Sequence, residues 1–148
     1  DPRFGVDLFK LESPVPAGDV PEPGSPGSAA VQALFDELDR AAGRPWVMLS
    51  AGAGMTEFRR VLHYAYGAGA SGYLAGRAIW LEAFQRFPDW AGIRDELRDE
   101  AVPYMRGLNA LTDGAARPWH THAYYGTGGA KVEPADASFR HVYTGFGG

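Results

Sequence analysis

Two hydrophobic periods take turns along this chain. Val6-Asp7-Leu8-Phe9-Lys10-Leu11-Glu12 has period-two character and closes at Ser13-Pro14. That predicts a strand with Val6, Leu8, Lys10 and Glu12 on one face and Phe9 and Leu11 on the other. A proline- and glycine-rich connection from Ala17 to Gly27 follows. Ser28 is then the expected N-cap of a helix whose Val31, Leu34, Phe35 and Leu38 recur at helical spacing until Gly43 stops it. The same order returns twice. Pro45 to Leu49 is the second strand and ends in Ser50-Ala51-Gly52-Ala53-Gly54; Thr56 is placed to cap a helix with Phe58, Val61, Leu62 and Ala65 on one face, stopped by Gly67-Ala68-Gly69. Ser71 to Ala75 is the third strand, and Gly76-Arg77 opens a helix through Ile79, Trp80, Ala83 and Phe84.

A further amphipathic stretch runs from about Asp89 to Leu111, with a bend expected near Pro103, which lacks the amide a helix interior uses. From Pro118 to Gly148 the periodicity gives way to an irregular, glycine-rich tail. Strands alternating with helices predict an α/β fold of parallel strands joined by right-handed crossovers. The expected organisation is βα units over residues 1–117 and a tail over 118–148.

Composition narrows the classes. With 148 residues, 45% hydrophobic and 22% charged, there is enough apolar material for one ordinary core. A formal net charge of -4 gives no general basic field, so no nucleic-acid partner is expected. The absence of cysteine excludes disulfides and thiolate metal sites. No apolar run approaches the roughly 18 residues of a membrane span and no signal peptide opens the chain, so the expectation is a cytoplasmic protein without a membrane partner.

Candidate chemistry gathers at the strand ends. Only two of the fourteen cationic side chains, Lys10 and Lys131, are lysine. A lysine amine inside an apolar strand invites a chemical role, because desolvation disfavours its charged form and leaves a nucleophile toward ketones and aldehydes. In barrels and doubly wound sheets the active site lies at the C-terminal ends of the strands, and barrel phosphate sites are commonly built by the loops after the last two strands. Ser50-Ala51-Gly52 and Gly76-Arg77 suit those loops. Glycines let amides approach an anion, Ser50 adds a hydroxyl, and Arg77 supplies a planar donor fork at a helix start.

The blocks Asp7-Leu8-Phe9-Lys10-Leu11-Glu12, Leu49-Ser50-Ala51-Gly52 and Ala75-Gly76-Arg77-Ala78-Ile79-Trp80 resemble the last three strand ends of the tagatose-bisphosphate aldolase family, which includes sulfofructose-phosphate aldolases. The resemblance implies the C-terminal part, about strands 6–8 with their helices, of a (βα)8 TIM barrel. It implies a class I aldolase, acting without metal or cofactor, that cleaves a ketose 1-phosphate or 1,6-bisphosphate to dihydroxyacetone phosphate and an aldehyde. Lys10 matches the Schiff-base lysine, and Ser50, Gly52, Gly76 and Arg77 match the phosphate-holding loops, with Ala51 between them. Glu12, on the face of Lys10, is the candidate to orient it or shuttle protons. A whole barrel has eight units in roughly 250 residues, so the remaining strands and their acid–base groups are expected from a longer chain or a separate polypeptide. The expected partners are a sugar phosphate and either a further copy of the complete barrel or the missing half.

Plainer readings stand beside these. Lys10 can pair with Glu12, Ser50 to Gly54 can be only a tight turn, and Arg77 can be a surface ion-pair partner. His63 falls with Arg59 and Arg60 on a solvated helix face, and His120-x-His122 has ligand spacing without a third ligand nearby. Trp46, Trp80 and Trp90 are expected to pack. The functional rivals are an isomerase-like barrel that uses the same phosphate cradle and a non-catalytic sugar-phosphate-binding relative.

Overall fold

The computed structural model describes residues 5–130. Among them, β1 (Phe9–Leu11), β2 (Trp46–Leu49) and β3 (Gly72–Leu74) form one parallel sheet in the order β1-β2-β3. The connections are α1 (Ser28–Ala42) and α2 (Met55–Ala68), and α3 (Arg77–Phe84), α4 (Trp90–Glu96) and α5 (Val102–Ala115) follow. The elements come in the expected order, with differences at their ends. The first strand is three residues long, because among the described residues Val6 to Leu8 have no strand beside them to pair with. Neither Ser28 nor Thr56 caps a helix: the N-caps are Gly27 and Gly54, and neither end carries a side-chain cap bond. Gly43 and Gly69 end α1 and α2 in the left-handed conformation, with φ of 58° and 107°, where a Cβ would be penalised.

Register decides the two faces of the sheet. Phe9 lies beside Trp46, and Leu11 beside Met48 and Tyr73. Trp46 and Met48 are fully buried in one cluster with Phe35 of α1, Phe58 and Leu62 of α2, and Leu108 of α5. All the helices that cover the sheet therefore lie on this face. The other face carries Lys10, Val47 and Gly72 in one row and Leu49 and Leu74 in the next. No described helix covers it, and Leu74 is 47% exposed. An alternating β pattern buries only the face that something packs against, and here that is the Trp46 face.

Trp46 packs as expected, its indole donating to Asp39 Oδ1 at 2.7 Å. Trp80 and Trp90 pack only in part: they stay 40% and 62% exposed, each edge-on to one aromatic neighbour, Phe84 and Phe87. Where a bend is expected near Pro103 the helix changes type: a π-helical turn over Leu97–Ala101 leads into α5, which has the proline in its first turn. The described part of the tail is two 3-10 turns, Trp119–Thr121 and Ala123–Tyr125. It crosses the N-terminal end of the sheet, where Arg117 N–H donates to Ala70 O at 3.0 Å. Further on, the Arg44 guanidinium stacks 4.1 Å over Tyr124 and Tyr125 Oη donates to Asp7 O at 3.3 Å. No described helix is long and apolar enough to cross a membrane.

Candidate active site

Parallel strands bring their C-terminal loops to one end, and the candidate residues meet there. Ser50 N–H donates to Leu74 O at 3.1 Å, extending the β2–β3 ladder by one residue and fixing the loop after β2 to the end of β3. The chain then reverses at once: Ala53 N–H donates to Ser50 O at 2.9 Å, and the two residues between, Ala51 and Gly52, both have positive φ, 49° and 85°. Positive φ at both central positions is the signature of a type I′ turn, which glycine enters freely and alanine only at a cost. Ser50 is buried beneath this turn at 6% exposure.

Arg77 closes the gap between the two loops. A Cβ built on Gly52 would lie 3.2 Å from Arg77 Nη2 and 3.4 Å from its Cζ, so the guanidinium rests against the bare Cα of the neighbouring loop. Gly76 is the N-cap of α3, and Ile79 and Trp80 N–H both return to its carbonyl, at 2.8 and 3.2 Å. The first helical amides are left facing outward, as at any helix start. Arg77 takes part in none of the ion pairs among the described residues, which join Arg60 to Glu22, Arg86 to Glu96, and Arg98 to Asp95 and Asp99. Ser50, Ala51, Gly52, Gly76 and Arg77 thus form one cluster, with an outward cationic fork and helix amides of the kind that hold an anion.

Lys10 stands apart from that cluster. It lies level with Val47, three residues before Ser50 along β2, which places it roughly 10 Å further down the strand direction. It is exposed on the uncovered face, which corrects the expectation of a lysine buried in its strand; the described residues put nothing over that face. Nor does it join any of the four ion contacts just named, so the plain Lys10–Glu12 pair is not formed. Glu12 is exposed just past the end of β1, where it also lines a cavity of about 290 Å³ shared with Val15, Leu49, Ser50, Ala51, Phe58 and Val61.

His63 is exposed beside Arg59, as its helix face predicted, whereas Arg60 is half-buried against Glu22 at 3.1 Å. His122 is buried, and its Nδ1 accepts from Tyr124 N–H at 3.1 Å. No group of three or more metal-ligating side chains occurs among the described residues. Trp80, expected only to pack, has its indole Nε1 3.4 Å from where a Cβ of Gly76 would be. The signal was its spacing: three residues beyond Arg77 is the same helix face.

The sequence model described as DeoC/LacD family aldolase matches residues 2–82, the span that holds all three strands and both loops. The chain belongs to the DeoC/LacD aldolase family. Among this family member's relatives, the tagatose 1,6-diphosphate aldolase of Streptococcus agalactiae serotype V is 34% identical over 128 residues, covering 80% of this chain and 39% of the relative. Tagatose 1,6-diphosphate aldolase 1 of Streptococcus mutans is 33% identical over 129 residues, 80% of this chain and 39% of the relative. The tagatose 1,6-diphosphate aldolase of Listeria monocytogenes serotype 4a is 33% identical over 130 residues, 81% of this chain and 38% of the relative. The aligned part of this family member therefore spans well under half the length of these curated relatives.

Proposed function

We propose that this chain supplies the last three βα units, and the phosphate-holding end, of a (βα)8 barrel aldolase that cleaves a ketose 1-phosphate through a Schiff base on Lys10. One observation carries the reading. At the C-terminal end of a parallel sheet, the Ser50–Gly52 turn and the Gly76–Arg77 helix start are locked together, and the strand next to them presents a lysine on the uncovered face. A barrel's interior is lined by such a face, so further units closing over it would desolvate Lys10, which this part of the molecule leaves open to water. The two edge strands and the uncovered face are where those units attach, in the same polypeptide or a separate one.

In this reading the phosphate sits against Ser50, Gly52, Gly76 and Arg77. The distance from this cluster to Lys10 suits a four-carbon lysine stem reaching the ketone one carbon away from the phosphate ester. The neutral amine of Lys10 attacks C2, and loss of water leaves an iminium. A base removes the proton of the C4 hydroxyl, the C3–C4 bonding pair moves into the iminium to give an enamine, and C4 departs as an aldehyde. Protonation at C3 and hydrolysis of the imine release dihydroxyacetone phosphate and restore the amine. Glu12 is assigned to orient that amine or relay its protons. The reaction makes the protein a carbon–carbon lyase of carbohydrate metabolism.

Borohydride trapping tests the reading. With dihydroxyacetone phosphate and the full-length protein, the reduced adduct is expected on the peptide containing Lys10. Lys10→Ala and Lys10→Arg should both abolish it, since a guanidinium stays charged and forms no imine. Adduct on Lys131, or none with the intact protein, overturns the assignment.

A further inference from the structure

Trp80 is the side chain at this end of the molecule that the proposed reaction leaves without a role. It follows Arg77 by three positions on α3, so the two rise from one face of the helix. Helical side chains lean toward the N-terminus. The Trp80 indole leans far enough to bring its Nε1 over Gly76, as Arg77 brings its guanidinium over Gly52. Two N–H donors from the first turns of α3 thus lie against the glycines of the two loops. The Trp46 indole has a protein acceptor, Asp39. The Trp80 indole N–H makes no hydrogen bond among the described residues, and the residue is 40% exposed. Its ring is nevertheless held in place, edge-on to Phe84 with centroids 5.4 Å apart and an interplanar angle of 73°.

We infer that Trp80 is a further anchor and a specificity determinant for the tetrahedral oxyanion of the substrate. This rests on reading the two loops as a phosphate cradle. A phosphate monoester has three terminal oxygens. The Arg77 fork can take two of them, and a directional neutral donor held over Gly76 takes the third together with the outward amides of α3. A carboxylate has only two oxygens and is satisfied by the fork alone, so the indole favours phosphate over carboxylate.

Trp80→Phe is the informative change, because it keeps a ring against Phe84 and removes only the N–H donor. In the full-length protein, titration calorimetry with dihydroxyacetone phosphate should show about tenfold weaker binding, the lower end expected for a hydrogen bond to a charged acceptor. Borohydride trapping with neutral dihydroxyacetone should be unchanged. If Arg77→Ala weakens the phosphate ligand and Trp80→Phe does not, the cradle stands and the role of Trp80 falls. If neither change matters, the cradle itself is wrong. Equal loss for both ligands in Trp80→Phe assigns the indole to holding α3 and overturns the inference. Should that variant not fold, an indole N–H resonance of the unmodified protein moving downfield on addition of inorganic phosphate supports the inference, and none moving overturns it.

Discussion

Gly52 shows how much can rest on the absence of one side chain. Its φ of 85° is one that L residues rarely adopt, and a Cβ there would press to 3.2 Å on the Arg77 guanidinium. Gly52→Ala is therefore expected to destabilise the fold by about 1–2 kcal/mol, visible in thermal denaturation. It should also weaken dihydroxyacetone phosphate binding in the full-length protein, because the displaced guanidinium no longer spans the loops. Full affinity in a folded Gly52→Ala variant would show that the Arg77 position is not set by this contact. The glycine was legible in the sequence, since a Gly-rich string after a strand announces a turn. The left-handed Ala51 beside it was not, because alanine carries no such signal and the turn that imposes the conformation is fixed by Ser50 pairing with β3. Lys10 divides in the same way. Its strand and its face could be read from alternation, but whether that face is covered depends on what packs there.

Between elements, the joint of α2 with α5 is made by two tyrosine hydroxyls. Tyr66 shares a 2.7 Å hydrogen bond with Thr112 of α5, and Tyr104 of α5 donates to Met55 O, at the start of α2, at 2.8 Å. Burial pushes each phenol up from 10.0 to about 12, against the Thr112 bond that lowers Tyr66. Above pH 10 the unfolded chain releases these protons while the folded chain keeps them. The contribution of both groups is thus complete below pH 10 and is lost as the pH rises toward about 12. Urea midpoints measured from pH 8 upward should fall across that window, and Tyr66→Phe with Tyr104→Phe should flatten the fall while costing about 1 kcal/mol each at neutral pH. An equally steep fall in the double variant would place the alkaline-sensitive groups elsewhere. None of this was legible from periodicity, which finds α2 and the restart after Pro103 but not which hydroxyl meets which carbonyl.

For the molecule as a whole, the uncovered sheet face is the dominant fact. Among the described residues, Leu8 and Leu74 are 40% and 47% exposed, both outer strands have an unpaired edge, and Trp80, Phe84, Phe87 and Trp90 add exposed aromatic surface on α3, α4 and the turn between them. Exposed apolar faces and free strand edges drive association. Prepared as an isolated polypeptide, the 148-residue chain should sediment as a concentration-dependent set of oligomers, and added salt should not disperse them because the contact is apolar. A monomer at every concentration, with one cooperative calorimetric transition, would mean that this face needs no cover.

Local pattern by itself determined the order of strands and helices, the glycine stops at Gly43 and Gly69, the strand-end loops that carry Ser50–Gly52 and Gly76–Arg77, and the alternation that puts Lys10 opposite Phe9 and Leu11. These depend on neighbours in sequence: period, turn chemistry and backbone freedom. Tertiary structure alone decided that Arg77 reaches across to Gly52, that Glu12 lines a cavity with Ser50, and that the helices cover the Trp46 face and leave Lys10 open. Each of those joins residues far apart in the chain or depends on which surface another element fills, and hydrophobic spacing within one segment does not encode either.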